Sequence, residues 1–224
     1  MKLVTIVVAV FLCVVVILAS VPTPRNAFAT VPTPPAQRTG APGESNCTSC
    51  HGGGSGNEIF QLTTLPALIT EYIPGQTYNF GLGLIDPGMV RFGFEVTALR
   101  DSDNSPAGTF DTFIDSRVTT VSGGGRTYVC HTTNGVTSPS DPPDPQDGTW
   151  WSATPSSDPA VWAFQWTAPA AGTGDVTFYA SGVSANGNND DSGDFGYFGS
   201  MTLTEGVPSA VVPMTWGKIK ERYR

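Results

Sequence analysis

The chain has 224 residues and a formal net charge of −8, and only 13% of its residues are charged. Such a chain lacks the Lys and Arg that neutralise phosphates, which excludes nucleic acid as a partner. Its 26 glycines and 19 prolines, with short β-branched and aromatic runs between them, predict an all-β protein.

The amino-terminal segment has the three parts of a secretory signal peptide. Positive charge at residues 1–2 precedes an apolar run over residues 3–19, and Ala27-Phe28-Ala29 supplies a small-x-small cleavage site. An uncleaved anchor helix is the alternative, because the apolar run approaches the length of a membrane span. We expect cleavage after Ala29, which makes the protein periplasmic, cell-surface or extracellular. Membrane contact would then be only through the signal peptide or an anchor.

The remaining chain divides into three predicted parts. Residues 30–45 form a Pro- and Gly-rich linker that buries little, and residues 46–205 form one domain. Residues 206–224 form a linker and a basic tail, in which Trp216, Ile219 and Tyr223 share one helical face. We expect a short carboxy-terminal helix there, either a frayed terminal helix or a docking tag.

Six segments have the apolar alternation of strands that bury one face. In one of them Trp162, Phe164 and Trp166 share a face, and in another Cys130 faces away from His131. The strands, with turn signals between them, predict an immunoglobulin-like or Greek-key β-sandwich. The segments are residues 76–84, 90–99, 126–133, 161–167, 176–182 and 197–203.

The sequence Cys47-Thr48-Ser49-Cys50-His51 has the spacing for covalent attachment of a c-type haem. Two thiols three positions apart can add to the two vinyl groups on one haem edge, and the adjacent imidazole can bind the iron. We therefore predict haem c on Cys47 and Cys50, with His51 as an axial ligand.

The motif has two alternative roles besides haem attachment. Cys47 and Cys50 can form a disulfide, or they can join His51 and His131 in a zinc site. A redox C-x-x-C motif usually opens a helix in a thioredoxin-like βαβ unit, and the strand pattern offers none.

The cysteine count bears on the disulfide alternative. Cleavage of the signal peptide removes Cys13 and leaves Cys47, Cys50 and Cys130, an odd number that does not fit a framework of disulfides alone. With haem bound, Cys130 is a free, buried thiol. Without haem, Cys130 can pair with Cys47 or Cys50.

The second axial position on the iron is unassigned. His131 is the other histidine of the chain and is a candidate, although a strand histidine is equally a hydrogen-bonded core residue. Two histidine ligands would favour electron transfer, because they leave no open position on the iron. Met89, in a turn, Met201, on a predicted core face, and Met214 are rivals.

A Gly- and Asn-rich loop carries Asp190, Asp191 and Asp194. Calcium takes six to eight oxygen ligands of this kind, which makes the loop a candidate calcium site. The spacing is not that of an EF-hand, and such clusters are also typical of exposed turns. No nucleophile elbow or catalytic triad is recognisable, so we expect an electron carrier or a binding module rather than an enzyme.

Several segments together resemble bacterial Reeler-like domains, also labelled choice-of-anchor V, which are similar to the amino-terminal domain of reelin. The matching segments run in order over about residues 40–203. They are Gly40-Ala41-Pro42-Gly43-Glu44, the Cys47 to His51 motif, Tyr72-Ile73-Pro74-Gly75-Gln76-Thr77-Tyr78, Arg91-Phe92-Gly93-Phe94-Glu95, Ala107-Gly108-Thr109-Phe110, His131-Thr132, Phe164-Gln165-Trp166-Thr167-Ala168-Pro169, Gly172-Thr173-Gly174-Asp175-Val176-Thr177-Phe178-Tyr179, Ala185-Asn186-Gly187-Asn188-Asn189 and Ser192-Gly193-Asp194.

The resemblance implies an exported, immunoglobulin-like sandwich, often attached to the cell surface, and it implies no reaction. Animal relatives look like matrix or surface modules that lack the full C-x-x-C-H but carry a His-Thr like His131-Thr132, which favours a structural His131. The bacterial branch commonly shows the C-x-x-C-H, which favours a monohaem cytochrome-like module.

Two functions of different class follow from the sequence. The first is an exported electron-transfer module with haem on the Cys47 to His51 motif and a redox partner protein. The second is a non-catalytic adhesion or binding module with a Cys47–Cys50 disulfide and a surface or matrix partner.

Overall fold

The structure is a computed structural model that describes residues 33–51, 59–89, 91–132, 160–188 and 190–207. The predicted signal peptide, the expected carboxy-terminal helix and Met214 lie outside these residues. In the part of the chain that is described, no helix has the length and apolar character needed to cross a membrane.

Two β-sheets form a sandwich, which confirms the predicted fold class. One sheet has four strands in the order β1-β3-β8-β5, and the other has six in the order β2-β10-β9-β4-β7-β6. Neighbouring strands are antiparallel except β2 and β10, which are parallel. The strands are β1 (Ile59–Leu65), β2 (Glu71–Tyr72), β3 (Thr77–Ile85), β4 (Arg91–Arg100), β5 (Thr109–Asp111), β6 (Val118–Gly123), β7 (Arg126–His131), β8 (Ala160–Thr167), β9 (Val176–Ala185) and β10 (Phe195–Glu205).

Aromatic side chains from both sheets fill the space between them. Phe80 of β3 stacks on Phe164 of β8 at 5.4 Å between ring centroids, and it meets Phe178 of β9 at 4.6 Å. Trp162, Phe164 and Trp166 are all buried in this core, as their alternation predicted. Each such side chain contributes about 1.5–3 kcal/mol when it leaves water.

The sequence patterns did not predict β1, β2, β5 or β6. Strands β2 and β5 have two and three residues, too few to show a period. Strand β6 is mostly Thr, Ser and Gly, and its side chains do not alternate between apolar and polar.

The outer face of the six-stranded sheet carries the site described below. Phe94 and Val96 of β4 belong to the core, so Glu95 between them faces outward. Glu95 pairs with Ser181 of β9 on one side and with Cys130 of β7 on the other. These three residues therefore form one row on the outer face.

The described part of the predicted linker, residues 33–45, packs on this outer face rather than burying little. Thr39 and Ala41 are buried, and the Arg38 backbone N donates a hydrogen bond of 2.6 Å to Glu95 Oε2. Glu44 Oε1 accepts hydrogen bonds from Tyr128 Oη at 2.6 Å and Arg126 Nη1 at 2.5 Å. The segment is ordered because the sheet offers these polar anchors, which its own Pro- and Gly-rich composition does not reveal.

Candidate functional site

The Cys47 to His51 motif forms a single helical turn. Cys47–Ser49 is a 3-10 helix, and the Asn46 side chain caps it by accepting a hydrogen bond of 3.0 Å from Thr48 N. His51 N donates to Cys47 O at 3.0 Å. Residues three and four positions apart are neighbours on such a turn. The turn brings Cys47, Cys50 and His51 within one turn of chain beside β9 and β10.

Backbone contacts fix this turn to β9 and β10. Cys47 N donates a hydrogen bond of 3.1 Å to Ser181 Oγ, which itself donates to Tyr197 O at 2.7 Å. A Cβ atom on Gly196 would lie 2.9 Å from Thr48 N, so only glycine lets the turn approach β10 this closely.

A buried carboxylate orients the His51 ring. Asp194 Oδ2 lies 2.8 Å from His51 Nδ1, and the two side chains are 3% and 13% exposed. Asp194 Oδ1 accepts a second hydrogen bond of 3.0 Å from Asn186 N. Because an ionised carboxylate only accepts hydrogen bonds, the ring carries its proton on Nδ1. The lone pair of the neutral ring is then on Nε2, the nitrogen available to a metal ion.

The environment of Cys47 favours an uncharged sulfur. Burial is the main cause that raises the pKa of its thiol to about 11. The charge of Glu95 also raises this pKa, whereas a hydrogen bond with Ser181 lowers it in part. Zinc binds the thiolate, which this environment opposes. A thioether carries no charge and suits the same environment. The donor set therefore fits a covalently attached haem better than a zinc ion.

All three described cysteines, Cys47, Cys50 and Cys130, are free thiols, so the Cys47–Cys50 disulfide is not formed. Among the described residues, no three His, Cys, Asp or Glu side chains come together to hold a metal ion. The zinc site proposed for Cys47, Cys50, His51 and His131 is thus not assembled.

His131 makes a structural hydrogen bond at the end of β7. It is buried, and its Nδ1 accepts a hydrogen bond of 3.0 Å from Phe94 N. Burial lowers the pKa of the ring to about 4, so the ring is neutral. The same Nδ1 also lies 3.3 Å from Phe94 O, so the Phe94 backbone holds the ring whichever ring nitrogen carries the proton. This arrangement favours the structural role, and iron ligation by His131 stays a prediction.

The turn and His131 lie at opposite ends of one row of residues. Gly196 of β10 and Gly93 of β4 both pair with Val183 of β9. Thr48 packs on Gly196, and the His131 ring packs on Gly93, where a Cβ atom would lie 2.6 Å from His131 Cε1. Two strand spacings separate the glycines by about 10 Å.

The three aspartates of the candidate calcium loop make different contacts. Asp194 is buried against His51, whereas Asp190 and Asp191 are exposed. Asp190 Oδ1 accepts a hydrogen bond of 2.6 Å from Ser192 N within the loop. The described geometry therefore does not gather them into one ligand group, and calcium binding stays a prediction.

Two of the rival methionines pack against the core. Met201 does so as predicted, and Met89, expected in a turn, does so as well. Both side chains are thus engaged in packing.

Sequence reasoning missed Glu95, a buried acid beside the motif. It is fully buried, and its Oε1 has no hydrogen-bond partner among the described residues. Burial raises its pKa to about 8. Burial, with the added charge of Glu95, also raises the pKa of the Cys130 thiol to about 12. The sequence feature that could have revealed this site is a glutamate, Glu95, at the centre of the apolar run of β4.

No protein-family model and no curated protein matches the chain. Among solved structures, the chain is similar to the human F-spondin reeler domain (fragment 1), with 23% identity, a TM-score of 0.42, and coverage of 66% of this chain and 88% of that one. It is also similar to the Reelin-N domain of F-spondin, with 24% identity, a TM-score of 0.42, and coverage of 66% and 86%. Fragment 2 of the human F-spondin reeler domain has 21% identity, a TM-score of 0.41, and coverage of 70% and 97%. Identities and TM-scores this low transfer no function to this chain.

Proposed function

We propose that this chain is an exported monohaem c-type module for electron transfer, with haem bonded to Cys47 and Cys50 and with His51 as an axial ligand. One observation carries the proposal. The imidazole that follows the two thiols is oriented by a buried carboxylate, with His51 Nδ1 2.8 Å from Asp194 Oδ2. Metal-binding histidines almost always donate their second ring N–H to such an acceptor.

The surrounding residues support the same proposal. Haem would supply a one-electron couple when bound. Ser181 and Gly196 hold the turn in place, and the surroundings that raise the pKa of the Cys47 thiol suit an uncharged thioether. Export, proposed from the amino-terminal sequence, would bring the motif to the compartment where haem is attached.

Intact-mass measurement of the full chain, made in bacteria that attach c-type haem, tests this proposal. We expect the mass of one haem to be added to the processed chain and to remain after denaturation. The Cys47→Ala, Cys50→Ala double variant is expected to lose the addition, whereas Cys130→Ala keeps it. A wild-type chain with no added mass, beside a control cytochrome that is loaded, contradicts the proposal.

A second function, a non-catalytic surface binding module, is favoured by a different observation. Ile59, Leu65 and Val161 are 54%, 45% and 45% exposed, and they lie on the outer face of the four-stranded sheet. Apolar groups exposed on one face of a sheet can form an interaction site. The partner would be a surface or matrix protein, and binding would not require haem. Replacing Ile59 and Val161 by Ser is expected to weaken cell-surface attachment in chains with and without the motif cysteines.

A further inference from the structure

We infer that Asp194 is a positioning residue that fixes the tautomer of His51 and lowers the reduction potential of the haem that His51 would bind. The first half concerns the protein without haem. The second half rests on the proposed function. The two halves are tested by separate measurements.

Two hydrogen bonds hold the Asp194 carboxylate against the His51 ring. One oxygen accepts from His51 Nδ1 at 2.8 Å, and the other accepts from Asn186 N at 3.0 Å. The Asn186 side chain closes the loop through a hydrogen bond of 2.8 Å from its Nδ2 to Ser192 O. The loop between β9 and β10 thus holds the carboxylate in one position against the ring.

The negative charge of Asp194 is directed at His51. Among the described residues, the Asp194 carboxylate contacts the His51 ring and pairs with no Lys or Arg. Its side chain is 3% exposed, so water screens this charge little. An unscreened carboxylate that accepts from Nδ1 raises the basicity of the ring and makes Nε2 a stronger donor to a metal ion.

The stronger donor has a defined redox consequence. Ferric iron carries one more positive charge than ferrous iron, so a more basic imidazole with a fixed negative neighbour stabilises the ferric state more. Gain of one electron from a redox partner then becomes less favourable, and the midpoint potential falls. Hydrogen bonding to a ligand is one of the means by which a protein sets this potential.

The tautomer is measured by nitrogen-15 NMR of the haem-free full chain, which contains two histidines. We expect wild-type His51 to carry its proton on Nδ1 and Asp194→Ala to shift the ring toward the tautomer protonated on Nε2. Asp191→Asn is the matched control, because it removes an exposed charge from the same loop and should leave the tautomer unchanged. A wild-type ring protonated on Nε2, or an unchanged tautomer in folded Asp194→Ala, overturns the first half.

The reduction potential is measured by potentiometric titration of the haem-loaded chain. Asp194→Asn removes the charge but keeps an oxygen that can accept from Nδ1, so the haem-loaded variant should show a higher midpoint potential. Asp191→Asn should match the wild type. An unchanged potential in Asp194→Asn overturns the second half. A wild-type chain that takes up no haem instead contradicts the proposed function, and the tautomer result still stands.

Discussion

Glu95 and Cys130 lie directly opposite each other on β4 and β7, and both are fully buried on the sheet face against which residues 33–45 pack. Arg38 N donates to one oxygen of Glu95, while the other oxygen has no partner among the described residues. A buried carboxyl group in this position favours its neutral form, which leads to a testable pH dependence.

The pKa of Glu95 is raised from 4.5 to about 8, mainly by burial. The folded state therefore binds the Glu95 proton more tightly than the unfolded state. The free energy of unfolding should fall as the pH rises between these two values, by an amount on the order of a few kcal/mol. Urea unfolding at several pH values measures this loss. Glu95→Gln should flatten the dependence, and an equally steep loss in Glu95→Gln would refute the assignment to Glu95.

Gly196→Ala should separate the Cys47 to His51 turn from β10. The added Cβ would lie 2.9 Å from Thr48 N and 3.0 Å from Thr48 Cα, so backbone would have to move. We expect a loss of about 1–3 kcal/mol in the free energy of unfolding, the usual cost of overpacking. Gly199→Ala is the control on the same strand, because nothing lies within 4 Å of its new Cβ. Equal losses of unfolding free energy in the two variants would show that the close approach at Gly196 does not contribute to stability.

The Glu44–Arg126 ion pair should stabilise the packing of residues 33–45 on the sheet. Both side chains are largely buried, and Tyr128 donates a further hydrogen bond to Glu44. Glu44→Ala leaves Arg126 without its buried partner and should cost about 3 kcal/mol. Asp103→Ala breaks an exposed pair with Arg100 and should cost less than about 1 kcal/mol. Chemical unfolding of both variants measures the difference, and similar small costs would mean that the segment is only loosely attached.

His131→Ala should destabilise the fold without changing the haem spectrum. The substitution leaves Phe94 N without its acceptor, at a cost of about 1–3 kcal/mol. Since the ring is buried and held by the Phe94 backbone, it is engaged in the fold rather than exposed toward a haem. The absorption spectrum of the loaded variant should match that of the wild type. Loss of a low-spin spectrum in this variant alone would instead make His131 the second axial ligand.

Strand periodicity predicted the sandwich because the core is built from aromatic residues at every second position. Trp162, Phe164 and Trp166 gave the clearest pattern, and all three are buried. Strands β2 and β5 were not predicted because they are too short to repeat a pattern. Their positions depend on tertiary pairing with β10 and β8, which single-strand patterns do not encode.

The site was predictable only in its local part. The three motif residues, Cys47, Cys50 and His51, lie within one turn, so their spacing was visible in the chain. Asp194 is 143 positions from His51, and its carboxylate was assigned to a calcium loop because its neighbours are also acidic. Gly196 and Ser181 matter through contacts across the sheet, which require the strand register to be known.

The most direct test of the account is a pyridine haemochrome spectrum of the purified full chain after production with a c-type haem attachment system. A monohaem c-type module should give the spectrum of a haem bound through two thioethers, at one haem per chain, with none in the Cys47→Ala, Cys50→Ala variant. A wild-type chain with no covalent haem, made beside a correctly loaded control cytochrome, would contradict it and leave the surface binding module as the function to pursue.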